Sequence, residues 1–503
     1  MTYNGFSIRY GNAGLATLAA VLLVSLSIQA QLGSSSTPQQ ATGPATVQAA
    51  QQTLNSVNSQ ATGSSTGATQ NDYHGSLITD KSTGTTIDLT LDDAIARGLK
   101  HNLGLILQQS SQQNSAGQRL QALQELLPTI TGSAAYTVQQ INLAAYGLKF
   151  PGINPIIGPF QTFDFRASLT QSLVNVSSIE KFIASKHNFQ GAKLTAQDAR
   201  DIVVLTVGNA YLLCIADTSR IEAVQADLAN TKVSLDQATA AHDAGTSPKL
   251  DVLRAQVDYQ NEEQQLISTK NQLAKDKLAL ARAIGLPLDQ EFQLTDRVPY
   301  KTLDHVDPQT AFGQALQTRK DIAAATEQVK AGEAQKKSAW AEQLPEAHVS
   351  GDFGDIGNTP AHSHGTYSAK GEITAPILQI AKTRGDIEVA DAQLQQSKAR
   401  LSDQIQQVNQ DVNDAILDIE AAAKLVDAAK SNVDLANEAL SEAQQRFRAG
   451  VTDNLVVSDA QAQAEQAHDQ YISALYQHNV AKLSLARALG IAETNYQTYL
   501  GRN

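Results

Sequence analysis

"AHDAGTSPKLDVLRAQ" runs from Ala241 to Gln256, and "QRFRAGVTDNLVVSDAQ" runs from Gln445 to Gln461. In each, an Ala-Gly pair (Ala244-Gly245, Ala449-Gly450) interrupts a long helical pattern, and a second helical pattern follows a few polar residues later. The two glycines stand 205 residues apart, and the same interval separates "LALARAIG", ending at Gly285, from "LSLARALG", ending at Gly490. A repeat on this scale organises the chain before any single motif does. Glycine supplies the left-handed residue that ends a helix, so each Ala-Gly reads as the tip of a helical hairpin. Ser247-Pro248 and Thr452-Asp453 then restart an antiparallel partner helix.

Two windows, one between Pro159 and Pro248 and one after Pro376, contain no proline and permit uninterrupted helices. In the second window, Ile387, Leu394, Leu401, Val408, Ala415, Ala422, Ala429 and Ala436 fall seven apart. Ile405, Val412, Ile419, Val426, Val433 and Leu440 interleave with them. This is a coiled-coil seam with left-handed supercoiling. Phe182, Phe189, Ala196, Val203 and Ala210, with Val207, Cys214, Ile221, Leu228 and Leu235, repeat it in the first window. Cys214 stands where the other seam has Ile419, which makes it a small core hydrophobe.

Each half opens with a shorter helix. The first starts at "LTLDDAIARGLKHN", with Asp92 or Asp93 as cap, and ends at Pro128; the second starts at Asp307-Pro308 and ends at Pro345. Here the interval is 217, so the first half carries about twelve extra residues, assigned to a loop at "YGLKFPGINPIIGPF". Flanking segments alternate with period two. Phe163, Phe165, Ala167, Leu169 and Leu173, sharing their side with Gln171, oppose Asp164, Arg166, Ser168, Thr170 and Ser172; Tyr367, Ala369, Gly371, Ile373 and Ala375 oppose Ser368, Lys370, Glu372 and Thr374. Residues 130–138 and 347–353 alternate likewise. Each half therefore has two strands of about ten residues, with charges on one side, the pattern of a membrane-crossing β-strand. Four strands cannot close a barrel in lipid, so either these strands lie outside a membrane or several chains pool them; twelve strands from three chains would close a barrel.

Composition narrows the function. A formal charge of −12 leaves no basic stripe for nucleic acid. With one cysteine, no internal disulfide or cysteine zinc site is possible. Residues 1–30 read as a signal peptide and 31–86 as a disordered low-complexity tract. After the signal, no continuous apolar run is long enough to span a bilayer as a helix. The first repeat is assigned to 87–295, the second to 296–495 and a C-terminal tail to 496–503. His362 and His364 offer at most two ligands, so no metal site, cofactor or catalytic residue is expected. Trp340, before "AEQLP", suits a membrane-interface anchor or a packed helix end.

The "LTLDDAIARGLKHN" opening, the Leu-Pro-then-strand junctions, "RFRAGVTDNLVVSDAQ" and the paired "LARAIG/LARALG" together resemble the TolC-like outer membrane efflux proteins over residues 88–495. The resemblance implies a mainly α fold with a small transmembrane β part: duplicated antiparallel coiled-coil hairpins, four strands per chain and a trimeric α/β barrel tunnel. It implies an exit duct of a tripartite efflux system in the bacterial outer membrane, with a long periplasmic extension. The implied partners are two further copies of the chain, a periplasmic adaptor (membrane fusion) protein, an inner-membrane transporter and outer membrane lipid. Carried over residue by residue, Asp251 and Asp459 are the candidate carboxylates of the channel entrance. Gly245, Thr246, Ser247, Pro248, Gly450, Val451, Thr452 and Asp453 form the candidate adaptor-contacting turns. Asp251 and Asp459 do not occupy the same repeat position, because 205 residues after Asp251 stands Val456. Helix capping is the ordinary alternative for either carboxylate. A duct for type I protein secretion and a periplasmic coiled-coil adaptor or scaffold are the alternative functions; two hairpins with amphipathic strands favour the duct over the scaffold.

Overall fold

The computed structural model describes residues 69–501, apart from 79, 149–150, 153, 297–299, 304–305 and 453. The signal peptide, residues 31–68 of the low-complexity tract and Asp453 lie outside the described residues.

The first repeat runs β1 (Ile87–Leu89), α1 (Leu91–His101), α2 (Leu103–Gln124), β2 (Thr129–Asn142), β3 (Ile156–Val174), α3 (Val176–Asp243), α4 (Lys249–Ile284) and β4 (Phe292–Leu294). The second runs α5 (Pro308–Thr318), α6 (Lys320–Ala341), β5 (Glu346–Gly357), β6 (Ser363–Thr374), α7 (Ile380–Arg448), α8 (Asn454–Ala488) and α9 (Ala492–Tyr499). At 1.5 Å per residue, the 68 residues of α3 make a rod of about 100 Å. β1 and β4 pair in parallel and close the first repeat on itself.

The heptad residues face inward as the seam requires. Leu394, Val408, Val412, Ala415, Ile419, Ala422, Val426, Ala429 and Leu440 are all buried along α7. The main cores sit at mid-length of the rods. One joins Val203, Val207, Tyr211 and Cys214 of α3 to Leu91, Leu105, Leu280, Ile284 and Leu483; the other joins Val408, Val412 and Ile416 to Ala311, Ala315 and Leu485. Cys214 is a buried free thiol in the first of these, and burial pushes its pKa up. Nearer the tips the packing thins to small patches, Leu235–Ala238–Ala255 in one hairpin and Leu440–Ala443–Val457–Ala460–Ala464 in the other.

Several expectations need correcting. Thr90, not Asp92 or Asp93, caps α1: its hydroxyl accepts from the Asp93 amide and donates to the Asp93 carboxylate. A threonine two residues before Asp92 satisfies the same orphan N–H groups. Asp307 and Pro308 cap α5 as expected. The opening helix of each half is broken in two, at Asn102 and at Arg319, again 217 residues apart. Asn102 is fully buried and donates to the Tyr73 carbonyl while capping α2. Tyr73 lies in the tract placed as disordered, and it is tightly seated: its ring packs so closely on Gly104 that a Cβ there would meet it at 2.6 Å. A single anchoring ring produces no periodicity to read. Residues 496–499, assigned to a tail, continue α9, and Leu500 is buried in the core. α3 also contains an 18-residue window of mean hydropathy 1.6, apolar enough to cross a membrane, and 44% of that window is buried within the fold; the mid-length core to which α3 contributes is the waist of the rods.

The four long strands form one antiparallel sheet in the order β2-β3-β5-β6, with β2 and β6 at its edges. They have 14, 19, 12 and 12 residues. The expected loop is shorter than its glycines and prolines suggest, because β3 already begins at Ile156 and includes Pro159. β3 pairs with β5 only from Phe163 onward, so seven residues of β3 rise past the end of β5 with β2 as sole partner. On that one-sided overhang a proline removes no necessary donor.

Candidate conduction pathway and its entrance

The sheet has its apolar face outward. Phe353, Tyr367, Ile373 and Ile130 are 69%, 83%, 77% and 73% exposed. The opposite face is the more covered one: Thr162, Asp164, Arg166 and Ser168 are half-buried where Phe165, Ala167 and Leu169 are exposed. A soluble protein does the reverse, since burying apolar area is what stabilises it. Arg166 Nη1 donates to Asp352 Oδ2 at 2.8 Å and its Nε to Asp164 Oδ1 at 3.2 Å; Ser368 Oγ donates to Asp352 Oδ1 at 2.9 Å. Lys370 pairs with Glu372, and His348 with Glu346, on the same face. The charges are not wholly confined to that face: Asp355 alternates with Phe353 on the apolar side, two residues from the end of β5. His362 Nδ1 bonds Thr359 Oγ1, and His364 lies opposite Ile356 in β6. Trp340 is 56% exposed in the last turn of α6, just ahead of β5.

At the other end of the rods the two Ala-Gly turns have one geometry. Gly245 (φ +74°) donates to the His242 carbonyl while Thr246 donates to that of Ala241. Gly450 (φ +72°) and Val451 donate to Phe447 and Arg446 in the same way. This Schellman arrangement pairs the last free carbonyls of α3 and α7 and requires a left-handed residue at the glycine. The candidate entrance carboxylates differ. Asp459 is exposed on the first turns of α8. Asp251 is buried and accepts a 2.5 Å hydrogen bond from Ser247 Oγ across the turn. Arg254 stands at the repeat position of Asp459.

Between the tips and the waist, a polar trench that the heptad reading did not reveal separates the α3–α4 hairpin from α8. It holds two open cavities of about 230 and 180 Å³, lined in part by Arg220, Asp227, Asp258, Glu262, Glu465 and Asp469. Arg220 Nε donates to Asp469 Oδ1 at 2.5 Å, Ser458 Oγ to Asp258 Oδ2 at 2.8 Å, and Gln461 Nε2 to Ser234 Oγ at 3.0 Å. Burial, then the neighbouring Glu465 carboxylate, pushes Glu262 up to about 7. Burial and the hydrogen-bonded Asp276 do the same to Asp217. These links tie the two hairpins together by polar contacts where apolar packing has thinned.

A family model for outer membrane efflux proteins matches residues 99–286 and 311–491, most of both repeats. The chain belongs to the outer membrane efflux protein family. Relatives in this family include the pyoverdine export outer membrane protein OpmQ of Pseudomonas putida, 25% identical over 322 residues. The alignment covers 62% of this chain and 66% of OpmQ, just short of two thirds of its length. The solvent efflux pump outer membrane protein SrpC of P. putida is 26% identical, with 64% of this chain and 67% of SrpC covered. Among solved structures, the CmeC outer membrane channel of Campylobacter jejuni superposes with a TM-score of 0.72 at 16% identity, covering 84% of this chain and 92% of CmeC. VceC of Vibrio cholerae gives 0.69 at 19% identity, covering 80% and 96%. The fold is therefore that of these solved channel chains: mainly helical, with two long antiparallel hairpins and one four-stranded antiparallel sheet.

Proposed function

We propose that three copies of the chain pool their strands into a twelve-stranded outer membrane barrel continued by a helical periplasmic tunnel, the exit duct of a tripartite efflux system. The reading rests above all on the inverted sheet, whose exposed face is apolar and whose two edges, β2 and β6, are open. Lipid requires that apolar face, and it forbids the open edges unless neighbouring copies pair with them. Conduction is passive: solutes pass along the polar face of the strands and are admitted when the hairpin tips part. A periplasmic adaptor meets the turns at Gly245–Pro248 and 450–453, and an inner-membrane transporter supplies the cargo. Relatives named for pyoverdine export and solvent efflux favour small molecules over secreted proteins.

Asp459, exposed beside the tip, is the stronger candidate for the entrance ring. Three such carboxylates around a narrow pore attract cations and hold the constriction under electrostatic control. Asp251, folded onto Ser247, contributes less. The test is native mass in mild detergent after extraction from outer membranes, followed by conductance in planar bilayers. A trimer whose conductance rises in Asp459→Ala more than in Asp251→Ala supports the reading. A soluble monomer refutes the duct, and a conducting trimer indifferent to Asp459→Ala refutes the entrance assignment.

A further inference from the structure

Residues 300–303, near the start of the second repeat, cross α8 where that helix buries two basic side chains. His478 and Lys482, one turn apart, are both fully buried. Among the described residues, neither ring nitrogen of His478 has a hydrogen-bond partner. The Tyr300 ring packs on it with centroids 5.0 Å apart. Lys482 Nζ donates to the Lys301 backbone carbonyl. Tyr300 is also tied to α7, its hydroxyl donating to Asp427 Oδ1 at 3.4 Å. Lys301 lies over Gly501, and Leu303 packs on the core shared by α5, α7 and α8. Among the described residues, the titratable and charged groups around His478 are thus Lys482 on its own helix, Tyr300 and Lys301 on the crossing segment and Asp427 on α7, with Tyr471 beside Tyr300.

We propose that residues 300–303 form an acid-released strap: protonation of His478 places a second buried cation beside Lys482 and lifts the segment from α8. A neutral imidazole against a tyrosine ring tolerates a dry site. An imidazolium with neither N–H satisfied does not. Asp427 attracts that imidazolium, but less strongly than Lys482 repels it. Burial, then Lys482, holds His478 down at about 4, while burial holds Lys482 down at about 8. The strap is therefore closed at neutral pH and opens on acidification. Opening removes one of the ties on α8, the helix that also carries Asp459 and one wall of the polar trench.

Hydrogen–deuterium exchange of the full chain in detergent, read on peptides spanning 300–303 and corrected for the chemical pH dependence of exchange, tests this. If the opened strap leaves His478 with an ordinary imidazole pKa, its opening constant rises roughly a hundredfold from pH 7.5 to pH 4. His478→Phe, which keeps the ring packing, abolishes the acid response. Lys482→Met raises the pH of release and loosens the strap at every pH, because the bond to Lys301 is gone. Asp427→Asn, which still accepts from Tyr300, lowers the pH of release. An acid response retained in His478→Phe overturns the proposal, as does wild-type exchange at 300–303 unchanged between pH 7.5 and pH 4. Should the Phe variant fail to fold, the opposite shifts of the other two decide it: movement in the same direction refutes the assignment.

Discussion

Replacing Arg319 with methionine removes the cation that holds the break between α5 and α6. Arg319 is 5% exposed; its guanidinium donates to Asp321 at 2.6 Å and to Asp411 at 2.8 Å and also reaches the Ala488 carbonyl. Methionine keeps most of the stem packing, so the loss is chiefly electrostatic. Breaking a buried pair from one side costs about 3–5 kcal/mol, because the surviving charge is left uncompensated. The Asp321 and Asp411 side chains are 18% and 29% exposed, and water relieves part of that penalty. The expected loss is therefore near the lower end, about 3 kcal/mol at pH 7. The pH dependence is more diagnostic than the size. Burial alone would raise the Asp321 pKa, but the Arg319 hydrogen bond and charge override it and hold it below the usual range. In the wild type this contribution is fully present above pH 4 and is lost as pH falls through the depressed pKa. In Arg319→Met, burial acts unopposed by that guanidinium and the carboxyl pKa rises, so the variant recovers stability between pH 7 and pH 4.5. Urea unfolding in detergent, followed by circular dichroism at several pH values, measures both slopes. A wild-type-to-variant difference that stays constant from pH 7 to pH 4.5 would refute this reasoning.

Other substitutions separate the remaining features. Gly450→Ala forces a left-handed alanine and costs about 1–2 kcal/mol locally, seen as faster tryptic cleavage at Arg446 and Arg448. Glu262→Gln flattens a pH dependence: the raised pKa means that the folded trench binds a proton the unfolded chain does not, so wild-type docking of α8 tightens as pH falls from about 7 toward 4.5. Exchange rates in α8 peptides should lose that slope in the variant. Gly208→Ala places a Cβ 2.7 Å from Leu483 Cδ1 and overpacks the waist by about 1–3 kcal/mol. Leu483→Ala in the same chain should relieve part of this, and a double-mutant cycle with no coupling would show that the two helices do not touch there.

The rods, the hairpin tips and the strand faces were legible because each repeats a short period many times. Leu394 through Leu440 declare one buried seam whatever surrounds them. The helix breaks were not legible: Asn102 and Arg319 interrupt their helices for partners remote in sequence, Tyr73 and Ala283 for one, Asp411 and Ala488 for the other. The trench escaped for a related reason. Glu262 and Glu465 each occupy the polar side of their own helix, and only the docking of one hairpin on the other brings them together. Carboxylates recurring along both α4 and α8 were the available sign. Asp251 and Asp459 were both candidates from the resemblance alone, and their surroundings differ because they stand at different repeat positions: Asp251 accepts from Ser247 across the turn, whereas Asp459 lies further along its helix and is exposed.

The overhang of β3 has an architectural consequence. Seven residues at about 3.3 Å each give a two-stranded flap of roughly 23 Å beyond the level where β5 and β6 stop. Three copies would therefore end in a castellated rim, with three tall flaps separated by three low gaps. A solute leaving such a mouth can exit sideways through the gaps, below the crests. The tips of such flaps could be lengthened or trimmed without disturbing the strand pairing beneath.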